Sequence, residues 1–304
     1  MIRHITNLWD LSKDDMDALF ASSARWKNLR KQGKVEQPLV GRSMGLMFNK
    51  PSTRTRLSFE AAMIQLGGAP IFMSIQDTQL SRDEPPEDTA RVLSRYLDAL
   101  VVRTYSQEML VNLAKASDIP VINALTDLYH PCQILSDIFT VIEEKGGYEG
   151  VRIVWVGDGN NVCHSWIIAA AVLGLDLVCA CPEGHMPLDW IVKEARDRGA
   201  GRITITSDPR EAARGADVLY TDVWASMGQE QEAEARRKVF AGYQINDELV
   251  ALAKMDVTVM HCLPAHREEE ITDSVLEGPR SVVWDQAENK MHMHKAILEA
   301  CMTR

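Results

Sequence analysis

The sequence predicts an α/β protein of two domains, each a mostly parallel sheet flanked by helices. Three observations carry that prediction. Nine short apolar runs of strand length are separated by segments of helix length, the pattern of repeated βαβ units. At 304 residues the chain is long for a single core. Between the fourth and fifth runs lies a helical stretch that opens at His130-Pro131 and closes at Gly146-Gly147.

In chain order, the first-half strands are expected at residues 46–48, 70–73, 99–103 and 120–123. Helical patterns fill 55–66, 88–96 and 107–115 between them. Ile134, Ile138 and Val141-Ile142 give the dividing helix one apolar face. The second half alternates again, with strands expected at 151–156, 176–181, 202–206, 218–220 and 257–260, a helix through 166–173, and a C-terminal helix at 289–301. No short repeat or low-complexity stretch interrupts the pattern.

Bulk properties narrow the partners. Hydrophobic residues at 46% and charged residues at 25% are ordinary for a globular enzyme. A formal net charge of −10 argues against a general nucleic-acid or anionic-membrane binder, and any anionic substrate must find a local basic pocket. The N-terminus has no apolar signal core, and the run at 166–175 is too short to span a bilayer. Six scattered cysteines lack a disulfide-framework or zinc spacing, which favours a reduced, cytoplasmic setting with no metal.

The most informative segment is Phe48-Asn49-Lys50-Pro51-Ser52-Thr53-Arg54-Thr55-Arg56. It lies at a strand-to-helix junction, where free N–H groups and the positive helix end favour an anion. The hydroxyls of Ser52, Thr53 and Thr55 and the fork of Arg54 add donors suited to phosphate, each charge-assisted bond being worth ~1.5–3 kcal/mol. A lone Ser there would be only an N-cap. Two arginines interleaved with three hydroxyls say more. Arg103 ends an apolar run, and His130 precedes Pro131 at a helix start with Gln133 one turn in. A neutral His at a helix N-terminus suits donation to a carbonyl oxygen. Gly157-Asp158-Gly159-Asn160-Asn161 follows a strand, but Val162 occupies the third glycine position of a dinucleotide fingerprint. Asp222 and Cys262 each follow a strand, and Gln79 sits in a polar stretch, 76–82, that reads as a flexible surface loop.

Together with His130-Pro131-Cys132-Gln133, His261-Cys262-Leu263-Pro264 and Asp222-Val223-Trp224-Ala225-Ser226-Met227-Gly228, this segment resembles the aspartate/ornithine carbamoyltransferase family, and within it the ornithine-using branch. The resemblance runs from about Leu8 to the C-terminus, and the four motifs occur in family order.

The resemblance implies a carbamoyl-phosphate domain at 1–133 completed by the helix at 288–304, an ornithine domain at 134–287, and an active site in the interdomain cleft. It implies transfer of the carbamoyl group of carbamoyl phosphate to the δ-amine of ornithine, giving citrulline and phosphate, with no cofactor. Ser52, Thr53, Arg54, Thr55, Gln79, Arg103, His130, Gln133, Cys262, Leu263 and Lys290 would serve carbamoyl phosphate. Asn161, Asp222, Ser226 and Met227 would bind ornithine, and Arg54, Arg103, His130, Asp222 and Cys262 would be catalytic. The Leu263-Pro264 bond is expected to be a candidate for cis. Gln79 would reach a neighbouring subunit's site in a homotrimer or an assembly of trimers. Lys290 departs from many relatives, which have Arg there; Lys keeps the charge but not the two-pronged fork. The alternatives are a carbamoyltransferase for another amine and a non-catalytic regulatory module that binds carbamoyl phosphate.

Overall fold

The computed structural model describes residues 2–225 and 233–303. The chain divides into two compact units, Met1–Phe139 with Glu288–Arg304, and Thr140–Ala287.

The first unit opens with α1 (Lys13–Lys31), a helix absent from the sequence expectations. Its signal is a capping box. Ser12 Oγ accepts from Asp15 N while Asp15 Oδ2 accepts from Ser12 N, which satisfies two donors that would otherwise be orphaned. β1 (Ser43–Phe48), β2 (Ala69–Ser74), β3 (Ala99–Arg103) and β4 (Val121–Leu125) form an all-parallel sheet in the order β2-β1-β3-β4. α2 (Thr53–Gln65), α3 (Pro86–Leu93) and α4 (Gln107–Ala116) alternate with them. Both faces of β1 and β3 are buried, so these strands read as unbroken apolar runs. β1 begins earlier than its apolar run suggests, because Gly45 belongs to it: a Cβ there would meet Leu97 Cδ1 at 2.6 Å. The stretch at 76–82 is not an open loop but falls in two short 3₁₀ turns, Ile75–Asp77 and Gln79–Arg82.

The second unit holds β5 (Arg152–Val156), β6 (Asp176–Ala180), β7 (Arg202–Thr206), β8 (Val218–Thr221) and β9 (Thr258–His261), all parallel in the order β7-β6-β5-β8-β9. The chain winds outward from β5 through β6 and β7, then reverses through β8 and β9. That reversal makes a switch point at the carboxyl ends of β5 and β8, where such sheets bind ligands. α5 (Pro131–Lys145) begins in the first unit and runs into the second, where it stops at Gly146, whose φ of +78° favours glycine. α6 (Asn161–Leu173) is buried nearly all round. α7 (Asp189–Arg198), α8 (Pro209–Ala213), α9 (Ala233–Phe240), α10 (Asp247–Val250) and α11 (Asp273–Leu276) complete the unit. The last helix, α12 (Val283–Met302), starts at Val283 rather than at 289. All nine predicted runs are strands, and only their ends shift.

Candidate functional site

In the first unit the candidate residues cluster at the carboxyl ends of β1, β3 and β4. Register places Phe48 opposite both Ser74 and Arg103, and Asn49 N donates to Arg103 O at 2.8 Å, so the β1–α2 junction lies beside the end of β3. Ser52 is extended at the N-cap of α2, and its side chain makes no cap bond. The first-turn donors therefore remain for a ligand. Thr55 is buried, Ser52 half-buried, and Thr53 and Arg54 exposed. A cavity of about 560 Å³ is lined by Asn49, Lys50, Ser52 and Thr53 among others, though not by Arg54.

Arg103 is buried, and its Nε has no hydrogen-bond partner. Burial, and then the charge of Arg54, lower its pKa to about 10. Two cations held close without a carboxylate between them favour an anion. His130 stands immediately before α5. Burial first, then Lys290, Arg103 and His294, push its pKa well below the ordinary value, so it is a neutral imidazole. Gln133 is held at both ends: Oε1 accepts from Lys290 Nζ at 2.7 Å, and Nε2 donates to Asp137 Oδ1 at 2.8 Å.

Lys50 belongs with this group although only its motif, not the residue, was singled out. It is buried, pairs with Asp127 at 2.5 Å, and lies 3.9 Å from the Tyr105 ring centroid. It thereby ties the loop after β1 to the loops after β3 and β4. Gln79 stands apart. It is exposed, and among the described residues no hydrogen bond or ion pair links its side chain to the others.

In the second unit, the parallel register pairs Thr221 with His261 and so sets Asp222 beside Cys262. Cys262 Sγ donates to Asp222 Oδ1 at 3.0 Å. Asn160 Nδ2 donates to Asp222 Oδ2 at 2.9 Å, while Asn160 Oδ1 caps α6 by accepting from Val162 N and Cys163 N. Asn160 is not among the expected site residues, and its signal is an Asn directly before a helix that follows a strand. Asn161, the first residue of α6, is half-buried. Gly159 serves close packing, since a Cβ there would lie 2.2 Å from Pro187 N. Ser226 and Met227 lie outside the described residues.

The Leu263-Pro264 bond is cis, and Leu263 has φ of +58°. His261 holds this turn. Its Nδ1 accepts from Leu263 N at 2.9 Å, so Nε2 carries the proton and donates to Glu270 Oε1 at 3.0 Å. Glu270, fully buried, also accepts from His266 N at 2.6 Å. Ligand atoms of Asp222, His261 and Cys262 lie within 4.8 Å of one another, but both His261 nitrogens are already engaged, so this group is a hydrogen-bond network and a poor cation site. Arg236, also not among the expected site residues, is buried and bonds Trp224 O and Asp158.

The chain matches two family models. One is the carbamoyl-P binding domain of aspartate/ornithine carbamoyltransferases, over residues 3–143, and the other is the Asp/Orn binding domain, over residues 149–301. It is 55% identical over 302 residues to an ornithine carbamoyltransferase of Geobacter sulfurreducens, covering 99% of this chain and 100% of the relative. It is 57% identical over 296 residues to one from Desulfotalea psychrophila, covering 97% and 98%. Among solved structures, ornithine carbamoyltransferase from Pyrococcus furiosus superposes with a TM-score of 0.96 at 49% identity, covering 99% of this chain and 97% of that one.

Proposed function

The chain belongs to the aspartate/ornithine carbamoyltransferase family, and on that footing we propose how its own residues divide the reaction. The reaction is transfer of the carbamoyl group of carbamoyl phosphate to the δ-amine of ornithine, giving citrulline and phosphate. The carrying observation is the buried cationic group of Arg103 and Lys290 around a neutral His130, with Arg103 and His130 inside the stretch matched by the carbamoyl-P domain model.

In this reading the start of α2, with Ser52, Thr53 and Arg54, holds the phosphate together with Arg103. Thr55, Arg103 and His130 donate to the carbonyl oxygen as charge develops in the tetrahedral intermediate. Gln133 and the Leu263 carbonyl accept from the carbamoyl N–H₂. Lys290 orients Gln133 by the bond at 2.7 Å and adds charge beside the substrate. Asn161, Asp222, Ser226 and Met227 hold ornithine, with Cys262 beside its δ-amine. Gln79 completes a neighbouring subunit's site in a homotrimer or assembly of trimers.

The neutral δ-amine adds to the carbonyl carbon, the C–O bond to phosphate breaks, and the proton lost by nitrogen leaves on the phosphate. No covalent enzyme intermediate, cofactor or metal takes part. Direct attack needs no enzyme nucleophile, so water exclusion and alignment of the two substrates govern the rate. A cytoplasmic setting is supported by six cysteines that are all free thiols. No helix among the described residues is long and apolar enough to cross a membrane.

The test is carbamoyl transfer from carbamoyl phosphate to ornithine, putrescine, lysine, aspartate and N-acetylornithine, scored by product. Strong selectivity for ornithine supports the Asp222 assignment. Preference for another amine overturns it, and carbamoyl-phosphate binding without turnover makes the chain a regulatory module.

A further inference from the structure

Lys295, on α12, is a buried residue at 4% exposure, yet no carboxylate lies within ion-pair distance of its ammonium among the described residues. It faces a cavity of about 250 Å³ in the first unit, whose wall includes Trp26, Leu29, Arg30, Lys34 and Gln65. Its nearest aromatic neighbour is Trp26, with Nζ 5.4 Å from the ring centroid.

The acidic groups nearby are already engaged. Glu36, on the cavity wall, pairs with Arg25 at 2.6 Å. Glu299 pairs with Arg25 at 2.6 Å and also accepts from Trp26 Nε1 and Ser22 Oγ. Among the described residues Arg30 donates to neutral partners, Gln65 Oε1 at 3.0 Å and Met291 Sδ at 3.7 Å. Lys34 has no carboxylate partner among the described residues. Three cations thus line one cavity whose single lining carboxylate, Glu36, is paired with Arg25 outside it, in a chain of net charge −10. Burial, followed by the charge of Arg30, lowers the Lys295 pKa to about 8, the mark of an ammonium that lacks an anionic neighbour.

We propose that this cavity is a second anion-binding site, separate from the candidate catalytic residues, that takes a phosphate oxyanion, free or as the head of a small phosphomonoester. Lys295 supplies a desolvated charge at the back, and Arg30 and Lys34 close on the oxygens from the rim. Leu29 and Val35 give an apolar wall for a short organic group. The walls belong to α1, the turn after it, α2 and α12.

Inorganic phosphate and glycerol 3-phosphate serve as probes, titrated calorimetrically into the full chain carrying Arg54→Ala, which weakens phosphate binding at the candidate catalytic site. One residual binding event should remain. Adding Lys295→Met should weaken it at least ~10-fold, and Lys295→Arg should restore most of it. Lys34→Glu, on the exposed rim where folding is not at risk, should weaken it ~3–10-fold by the same charge argument. Tighter binding of glycerol 3-phosphate identifies a monoester as the ligand class, and equal binding identifies the free anion. No residual binding, or binding indifferent to both Lys295→Met and Lys34→Glu, overturns the proposal.

Discussion

The thiol of Cys262 donates to the carboxylate of Asp222 at 3.0 Å, across the ends of two adjacent parallel strands. Asp222 also accepts from Asn160 Nδ2 and from Val223 N, so its position is set by three loops at once. A hydrogen bond to a charged acceptor is worth ~1.5–3 kcal/mol, and losing one that acts in the transition state lowers kcat/KM by ~10–100-fold. Cys262→Ser keeps a donor and should stay within ~10-fold of the parent, whereas Cys262→Ala should fall further. Steady-state kinetics with ornithine varied decides it. Equal loss in both variants would remove the hydrogen bond from the argument.

Lys290→Arg should keep activity and leave carbamoyl-phosphate binding undiminished, because a guanidinium retains the charge and can still reach Gln133 Oε1, now bonded at 2.7 Å. Lys290→Met should raise the KM for carbamoyl phosphate by ~10-fold or more, since it removes a buried charge and frees Gln133. A large loss in the Arg variant would show that Lys290 plays another part.

Glu270→Ala should lower kcat more than it changes the KM for ornithine. It strands the His261 Nε2 proton and the His266 N–H, each costing ~1–3 kcal/mol when buried unsatisfied, and loosens the turn that presents Leu263. The check is kcat beside the chemical-denaturation midpoint. Wild-type kcat in a destabilised protein would confine Glu270 to stability.

Activity should rise through the alkaline range. The δ-amine is lysine-like, with a pKa near ~10.4, so its neutral fraction grows about tenfold per pH unit below that value. His130 contributes no opposing limb there, since burial and its cationic neighbours already keep it neutral. A profile flat from about pH 6 to 9, with chemistry shown to limit the rate, would contradict direct amine attack.

Acid should destabilise the fold through buried histidines. His130 and His294 are held well below the ordinary histidine value, chiefly by burial, and His292 is lowered to about 4, again chiefly by burial. The unfolded chain protonates each near ~6.5 while the folded chain does not, so each group removes about 1.4 kcal/mol per pH unit below that point. Above it they have no effect. Thermal unfolding should give a Tm that drops steeply between pH 6.5 and 5, and His294→Gln should make the slope shallower. An unchanged slope in that variant would clear His294, which stacks on Phe59 at 3.5 Å between ring centroids.

By itself the sequence determined the strand layout and the placement of the polar motifs after the strands. Parallel strands buried on both faces must be continuous apolar runs, so β1, β3, β5, β6 and β8 are legible without any tertiary information. The polar motifs then follow those runs directly, which assigns them to strand ends. Less legible was α1, whose capping box uses Asp15 where Glu or Gln is usual. Only the tertiary structure decided which side chains meet. Strand register joins Cys262 to Asp222 over 40 residues, and packing joins Lys290 to Gln133 over 157. Asn160 and Glu270 emerge as partners only once those contacts exist. The neutral state of His130 likewise comes from burial and from Lys290, Arg103 and His294, all distant in sequence. Local residue patterns encode burial and turn chemistry, but desolvation and hydrogen-bond partners depend on distances that only the folded chain sets.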